Sequence, residues 1–145
     1  LSKSIRLYVV CFCLPIPIWL LFIVIQQHNG FNFILLAPQN KPDYLWLTLI
    51  MPLLEEYAFR GALQTALLQY PIGQRYFYRF SVANLTTSLV FSVWHIPNQG
   101  LYWASAVFIP SLIFGIVREK SQRVFPCFLL HAWYNIGFFT LTSFA

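Results

Sequence analysis

Residues 44–69 read YLWLTLIMPLLEEYAFRGALQTALLQ, an apolar run with Glu55, Glu56 and Arg60 near its centre. As a helix that rises 1.5 Å per residue, this run is long enough to cross a hydrocarbon core of about 30 Å. A charged side chain at the centre of a membrane helix costs roughly 2.5 to 3.5 kcal/mol, and charges kept there usually serve a function. The stretch therefore predicts both a membrane helix and the centre of a functional site.

The rest of the chain has the composition of a membrane protein. Of its 145 residues, 59% are hydrophobic and 9% are charged, whereas soluble domains contain about 25% charged residues. Cys11, Cys13 and Cys127 lie in apolar runs and are interpreted as buried hydrophobic residues rather than a disulfide framework. We predict an all-α fold, a polytopic membrane helix bundle of about five transmembrane helices in a single domain, 1–145, with spans at 7–26, 44–69, 80–96, 101–117 and 124–145.

The basic residues predict the orientation of these spans. They cluster before the first span, after the second and after the fourth, whereas the opposite loops contain only Lys41. By the positive-inside rule, the N-terminus is cytoplasmic and the C-terminus lies on the far side. We attribute the net charge of +5 to this topology. Because no basic patch interleaved with aromatic residues is expected outside the membrane core, we predict membrane lipids as partners and no nucleic acid.

Polar residues in the later spans are candidates for the same site. The third predicted span contains His95, one helical turn after Phe91, and the fifth contains His131, one turn before Asn135. Residues at i and i+4 share a helix face, so each span presents a polar facet that is expected to point inward. Glu55 is about 16 Å deep, and His131 and Asn135 are about 12 to 18 Å deep. The facets are therefore expected to meet near mid-depth.

This set of side chains suits hydrolysis of an amide bond. Arg60 can pair with Glu56 along one helix face, which leaves Glu55 for chemistry. A carboxylate beside a histidine can hold and deprotonate a water molecule. A second histidine and an asparagine amide can donate hydrogen bonds to the oxyanion that forms.

Three motifs carry a resemblance to a known family. They are E-E-x-x-x-R at 55–60, F-x-x-x-H at 91–95 and H-x-x-x-N at 131–135, and the stretch IFGIVREKSQRVFPCFLLHAWYN before the last motif is also similar. Together they resemble the CPBP family of intramembrane proteases, which includes CAAX prenyl proteases and bacterial bacteriocin-processing or immunity proteins. The resemblance covers about Leu53 to Asn135.

The resemblance implies a role for each matched residue. Glu55 corresponds to the catalytic glutamate and His95 to its partner in positioning the water. His131 and Asn135 correspond to the oxyanion-stabilising pair, and Glu56 with Arg60 to a supporting ion pair. The implied protein is an intramembrane endopeptidase of the bacterial inner membrane that acts on a membrane-associated peptide or protein tail.

The sequence leaves alternatives open for the cofactor, the substrate and the function. Family members are often described as metalloproteases, yet a glutamate-dependent, metal-free mechanism is favoured and this chain has no H-E-x-x-H motif. A zinc site made of Glu55, His95 and His131 is the alternative. Five spans are fewer than the eight of larger members, so CAAX specificity is not carried over. A non-catalytic immunity or scaffold relative and a proton or ion pathway also remain, and the oligomeric state is left open.

The loop at 27–43 has a short apolar centre, FNFILLA, which cannot span a bilayer. We expect it to lie at the membrane interface or to re-enter the membrane, where it could help to gate the site.

Overall fold

The computed structural model describes residues 3–28 and 41–142, and this part of the chain is almost entirely helical. Most of the 27–43 loop lies outside the described residues, and the expectation for it stays a prediction. The all-α fold class is confirmed. The elements are α1 (Lys3–Cys13), α2 (Ile16–His28), α3 (Lys41–Leu45), a first π segment (Trp46–Ile50), α4 (Met51–Glu56), a second π segment (Tyr57–Gln64), α5 (Thr65–Leu68), β1 (Tyr76–Phe77), β2 (Phe80–Ser81), α6 (Val82–Ser121) and α7 (Phe125–Thr142).

Within residues 3–28 and 41–142, one helix is long and apolar enough to cross a membrane. This helix is α6, with a mean hydropathy of 1.8 over its most apolar 18 residues. The first predicted span is divided into α1 and α2 at Pro15, which lacks the N–H needed to continue the helical ladder. The second is divided among short α and π segments. A count of five transmembrane helices stays a prediction.

The third and fourth predicted spans form the two arms of α6, which fold back on one another. Helical geometry fails at Gly100, whose φ of 75° and ψ of 166° suit a residue without a Cβ. Ser92 Oγ donates to the carbonyl of Ala104, and Asn84 Nδ2 donates to the carbonyl of Leu112 at 3.0 Å. Contacts of this kind require the arms 82–99 and 101–121 to lie side by side and antiparallel. The gap between these two predicted spans, residues 97–100, is therefore a turn with Gly100 as its corner.

The two arms approach closely at Gly115. A Cβ built on this glycine would lie 1.8 Å from Asn84 Oδ1 and 2.2 Å from its Cγ. The Asn84 side chain is fully buried, and its amide donates to the carbonyl of Leu112 and accepts from Ser88 Oγ at 3.1 Å. Small residues commonly allow such close packing between membrane helices.

Replacing Gly115 with alanine is expected to destabilise the protein by about 1 to 3 kcal/mol, because the Asn84 amide would have to move from its buried partners. Gly61→Ala is the matched control, since its new Cβ would meet Val124 Cγ2 at an ordinary 3.5 Å. That change is expected to be neutral or to stabilise by about 0.4 to 1 kcal/mol. Thermal unfolding of both purified variants in detergent measures the difference, and equal shifts would contradict the close contact.

The contacts divide the chain into two compact units, Leu1–Leu53 with Leu129–Ala145, and Leu54–Phe128. In the first unit, α7 packs against the N-terminal helices. Trp133 Nε1 donates to the carbonyl of Phe12 at 3.0 Å, and the Tyr134 hydroxyl donates to that of Cys11 at 3.0 Å. The Trp19 and Trp133 rings meet edge to face with centroids 5.1 Å apart.

The second unit contains α6 and a short β-hairpin that the sequence did not predict. The hairpin pairs Tyr76 with Ser81 and Phe77 with Phe80. Within it, Tyr76, Phe77 and Tyr78 are exposed between the exposed Arg75 and Arg79. The expectation that no basic patch is interleaved with aromatic residues outside the membrane core is therefore wrong at this hairpin. The pattern was missed because the segment is short and lies between two apolar runs.

Candidate active site

The second unit brings Glu55 and His95 together, although they are 40 positions apart in the sequence. Glu55 Oε1, on α4, lies 3.9 Å from His95 Nε2, on the first arm of α6. Each side chain is 13% exposed. This separation is longer than a direct hydrogen bond, and a single water molecule can bridge two polar atoms at such a distance.

A backbone carbonyl fixes how His95 presents its ring. His95 Nδ1 lies 2.8 Å from the carbonyl oxygen of Phe91. A carbonyl oxygen only accepts, so Nδ1 carries a hydrogen, and Nε2 is the ring nitrogen that faces Glu55. A lone pair on Nε2 and a carboxylate oxygen are both acceptors, so in that tautomer a proton or a water molecule must lie between them. The pair therefore has the arrangement of an acid–base site, with Phe91 holding the ring from its backbone.

Glu56 and Arg60 form a buried ion pair on the neighbouring face of the same helical stretch. Glu56 Oε2 lies 3.4 Å from Arg60 Nε, and both side chains are fully buried. Arg60 Nη2 also donates to Ser111, to its carbonyl at 2.9 Å and to its Oγ at 2.5 Å. The second arm of α6 thus holds the guanidinium in place.

The Phe91 ring lies between the ion pair and the histidine. The Arg60 guanidinium carbon lies 5.8 Å from the centre of the Phe91 ring, which suits a cation–π contact. The same ring packs against His95 with centroids 4.5 Å apart, and Phe59 meets it edge to face at 5.0 Å. The ion pair and the acid–base pair are therefore in contact through one aromatic side chain.

The second π segment explains why Glu56, Arg60 and Gln64 are all fully buried on one face. In an α-helix of 3.6 residues per turn, a step of four residues overshoots a turn by about 40°, and two steps by about 80°. The wider i→i+5 turn rotates less per residue, so every fourth side chain stays nearer to one face. The Arg60 carbonyl accepts from Arg118 Nε at 3.2 Å and from Thr65 Oγ1 at 2.9 Å.

Gln64 and Glu119 continue the polar contacts towards the β-hairpin. Gln64 Nε2 donates to Glu119 Oε1 at 2.9 Å, and Ser81 Oγ donates to the same oxygen at 2.5 Å. The Tyr76 hydroxyl donates to Glu119 Oε2 at 3.0 Å. Desolvation and this bond raise the pKa of Tyr76, so the hydroxyl stays a neutral donor.

These supporting residues were not predicted from the sequence. Gln64 was detectable as the next polar residue at the spacing of Glu56 and Arg60, whereas Ser111, Arg118 and Glu119 carry no local signal. Their partners lie 38 to 58 positions away in the sequence.

His131 and Asn135 belong to the first unit, on α7. His131 is buried, and Asn135 Nδ2 donates to the carbonyl of Leu47 at 3.0 Å. In the first π segment the Met51 N–H bonds to the Trp46 carbonyl, five residues back. The next bond in that register would come from residue 52, which is a proline without an N–H. The carbonyl of Leu47 is thus available to Asn135.

Glu55, His95 and His131 are the residues that would bind zinc in the alternative to the favoured metal-free site. Among residues 3–28 and 41–142, no group of three or more His, Cys, Asp or Glu side chains is placed to hold a metal ion.

An all-α chain with a long apolar helical hairpin and a carboxylate–histidine pair beside it has features that are typical of a membrane-embedded protein with a buried polar site. The family model for type II CAAX prenyl endopeptidases, Rce1-like, matches residues 37–137. The chain belongs to this family of CAAX intramembrane proteases, and the resemblance inferred from its motifs is confirmed. No curated protein and no solved structure matches the chain.

Proposed function

We propose that the protein is an intramembrane endopeptidase that hydrolyses a membrane-associated peptide or protein tail. The observation that carries the proposal is the Glu55–His95 pair, 3.9 Å apart and held by the bond from His95 Nδ1 to Phe91. The pair offers a carboxylate and an imidazole nitrogen to one water molecule, which is what activation of water requires. Family membership supports the reaction class.

In this mechanism Glu55 takes a proton from the water that lies between it and His95. The water oxygen attacks the carbonyl carbon of the substrate and forms a tetrahedral intermediate. The carbon–nitrogen bond then breaks, and Glu55 returns the proton to the departing amine. The products are a shortened chain with a new carboxylate and a released fragment with a new amino group.

His131 and Asn135 are assigned to the developing oxyanion. A histidine N–H and an asparagine amide are suitable donors, and the loss of one such donor typically costs 10²- to 10³-fold in kcat. Asn135 donates one of its two amide hydrogens to Leu47, so the other is available to a substrate. Glu56 and Arg60 support the site by holding the helix that carries Glu55.

We place the site within a bundle of five spans whose N-terminus is cytoplasmic, in a bacterial inner membrane. The contacts among Glu119, Ser81 and Tyr76 support this topology, because they bring the basic loop after the second span beside the basic end of the fourth. Both loops are then on the same side of the membrane, as the positive-inside rule requires.

The reaction is proposed to need no metal. Zinc bound by Glu55, His95 and His131 is the alternative. Glu55 and His95 alone are one ligand short of the three protein ligands that catalytic zinc sites use.

The decisive experiment is cleavage of a membrane-associated reporter by the purified protein in proteoliposomes, with and without a chelator. Two reporters separate the substrate classes, a peptide with a prenylated CAAX tail and an unmodified transmembrane peptide. We expect cleavage that survives chelation, detected by mass spectrometry of the new ends. Cleavage that is lost on chelation and restored by Zn²⁺ would exclude the metal-free mechanism in favour of a zinc-dependent one. Ion flux driven by a membrane potential, without cleavage of either reporter, would indicate a proton or ion pathway instead.

A further inference from the structure

The segment 70–80, YPIGQRYFYRF, contains the β-hairpin and exposes an unusual set of side chains; we call it the aromatic–basic segment. Phe77 is 72% exposed and Tyr78 is 93% exposed, and Arg75 and Arg79 beside them are exposed as well. Tyr70, Ile72 and Tyr76 add further exposed apolar surface. Contiguous exposed apolar surface of this kind marks an interaction site.

The fold holds these side chains outward. Val82 N donates to the carbonyl of Arg75 at 2.8 Å, and Ala83 N donates to that of Gly73 at 3.0 Å. Gly73 sits so close to the preceding helix that a Cβ would lie 1.9 Å from the Leu67 carbonyl. The exposure of the aromatic rings therefore belongs to an ordered turn that is bonded to its neighbours on both sides.

The position of the aromatic–basic segment indicates which region of the membrane it contacts. Ser81, the residue after the segment, caps the start of α6 by accepting from Asn84 N at 2.9 Å. Glu119, near the end of α6, bonds to Ser81 and to Tyr76. The segment thus lies where both arms of the apolar helix α6 end. For a membrane helix this level is the boundary between hydrocarbon and headgroups, where tyrosine and arginine are favoured.

The charge at this end of the unit selects among headgroups. The segment contains two arginines and no acidic residue. The nearby end of α6 and the following turn add Arg118, Lys120 and Arg123, and the one carboxylate there, Glu119, accepts three hydrogen bonds from protein groups. A positive surface beside apolar rings is complementary to anionic phospholipids.

We propose that the aromatic–basic segment binds anionic phospholipid headgroups, with Arg75 and Arg79 on the phosphates and the aromatic rings among the upper acyl chains. The site anchors the β-hairpin to the membrane surface on the cytoplasmic side. It is independent of the proposed protease activity, and it adds a lipid-recognition site to the chain.

The test measures binding of short-chain phosphatidylglycerol to the full-length protein in neutral detergent, by native mass spectrometry at low salt. The variant Arg75→Gln/Arg79→Gln is expected to bind phosphatidylglycerol about 30-fold more weakly, the loss expected for two surface charges. Lys3→Gln/Arg6→Gln removes the same charge from the basic cluster before the first predicted span, which is not part of the proposed site, and is expected to lose much less. Thermal unfolding without lipid checks that both variants are folded.

Four results would contradict the proposal. Equal losses in the two double variants would show a general surface charge rather than a site. Equal binding of phosphatidylcholine and phosphatidylglycerol would remove the role of anionic headgroups. Tight RNA binding that depends on Arg75 and Arg79, with no effect of the variants on lipid binding, would assign the segment to a nucleic acid. Phe77→Ser/Tyr78→Ser, with both arginines kept, is expected to weaken phosphatidylglycerol binding as well, and unchanged binding would contradict the role of the rings.

Discussion

Glu55→Gln is expected to lower kcat for reporter cleavage by about 10²- to 10⁴-fold, the contribution typical of a positioned general base. The amide has nearly the shape of the carboxylate but cannot take a proton from water. Glu55 supplies the carboxylate of the Glu55–His95 pair, so the variant leaves the pair without one. Single-turnover kinetics in proteoliposomes separates the chemical step from substrate binding, and KM is expected to change little.

Asp43→Asn is the matched control for this substitution. It makes the same change from acid to amide at an exposed residue outside the site. Its kcat is expected to equal that of the unmodified protein. If Glu55→Gln kept more than about a tenth of kcat, general-base catalysis by Glu55 would be excluded, because such catalysis contributes at least about 10²-fold.

Breaking the Glu56–Arg60 pair is expected to cause the largest loss of stability. Removal of one partner of a buried ion pair typically costs about 3 to 5 kcal/mol, because the other charge stays buried. Arg60→Met should be the more damaging single change, since Ser111 also loses two hydrogen bonds. The double variant Glu56→Gln/Arg60→Met removes both charges of the pair. It is expected to recover most of the stability that Arg60→Met alone loses.

A double-mutant cycle measured by unfolding in mixed detergent micelles tests this coupling. Contacting charged residues are expected to show a strong interaction energy, about 0.5 to 3 kcal/mol. Additive losses across the cycle would mean that Glu56 and Arg60 act independently. Single variants that each lose less than about 1 kcal/mol would show that the pair behaves like an exposed salt bridge.

The local parts of the site could be predicted from the sequence. Glu56 and Arg60 are one helical turn apart, so their pairing follows from helix geometry alone. The corner at Gly100 follows from this glycine and from Pro97 and Asn98 just before it, which are residues typical of turns. The pairing of Glu55 with His95 needed the further step that polar facets of membrane helices point inward, and the structure places these two together.

The remaining contacts could not be predicted because they depend on backbone register and on distant partners. A π segment shifts the backbone hydrogen bonds by one residue without changing the hydrophobic pattern, so nothing in the sequence of residues 57–64 predicts it. Gln64 meets Glu119 only because the second arm of α6 returns alongside it. The β-hairpin has two residues in each strand, too few for alternation to be recognised.

The corner at Gly100 has a consequence for how the chain enters the membrane. The first arm of α6 carries Asn84, Thr87, Ser88 and Ser92 on one buried face. Inserted alone, that arm would present an asparagine amide and three hydroxyl groups to lipid. Its contacts with the second arm span only 12 to 28 residues, so little loop-closure entropy opposes their early formation. We therefore expect the two arms to insert into the membrane together, because their pairing shields the polar groups from lipid before the rest of the bundle assembles.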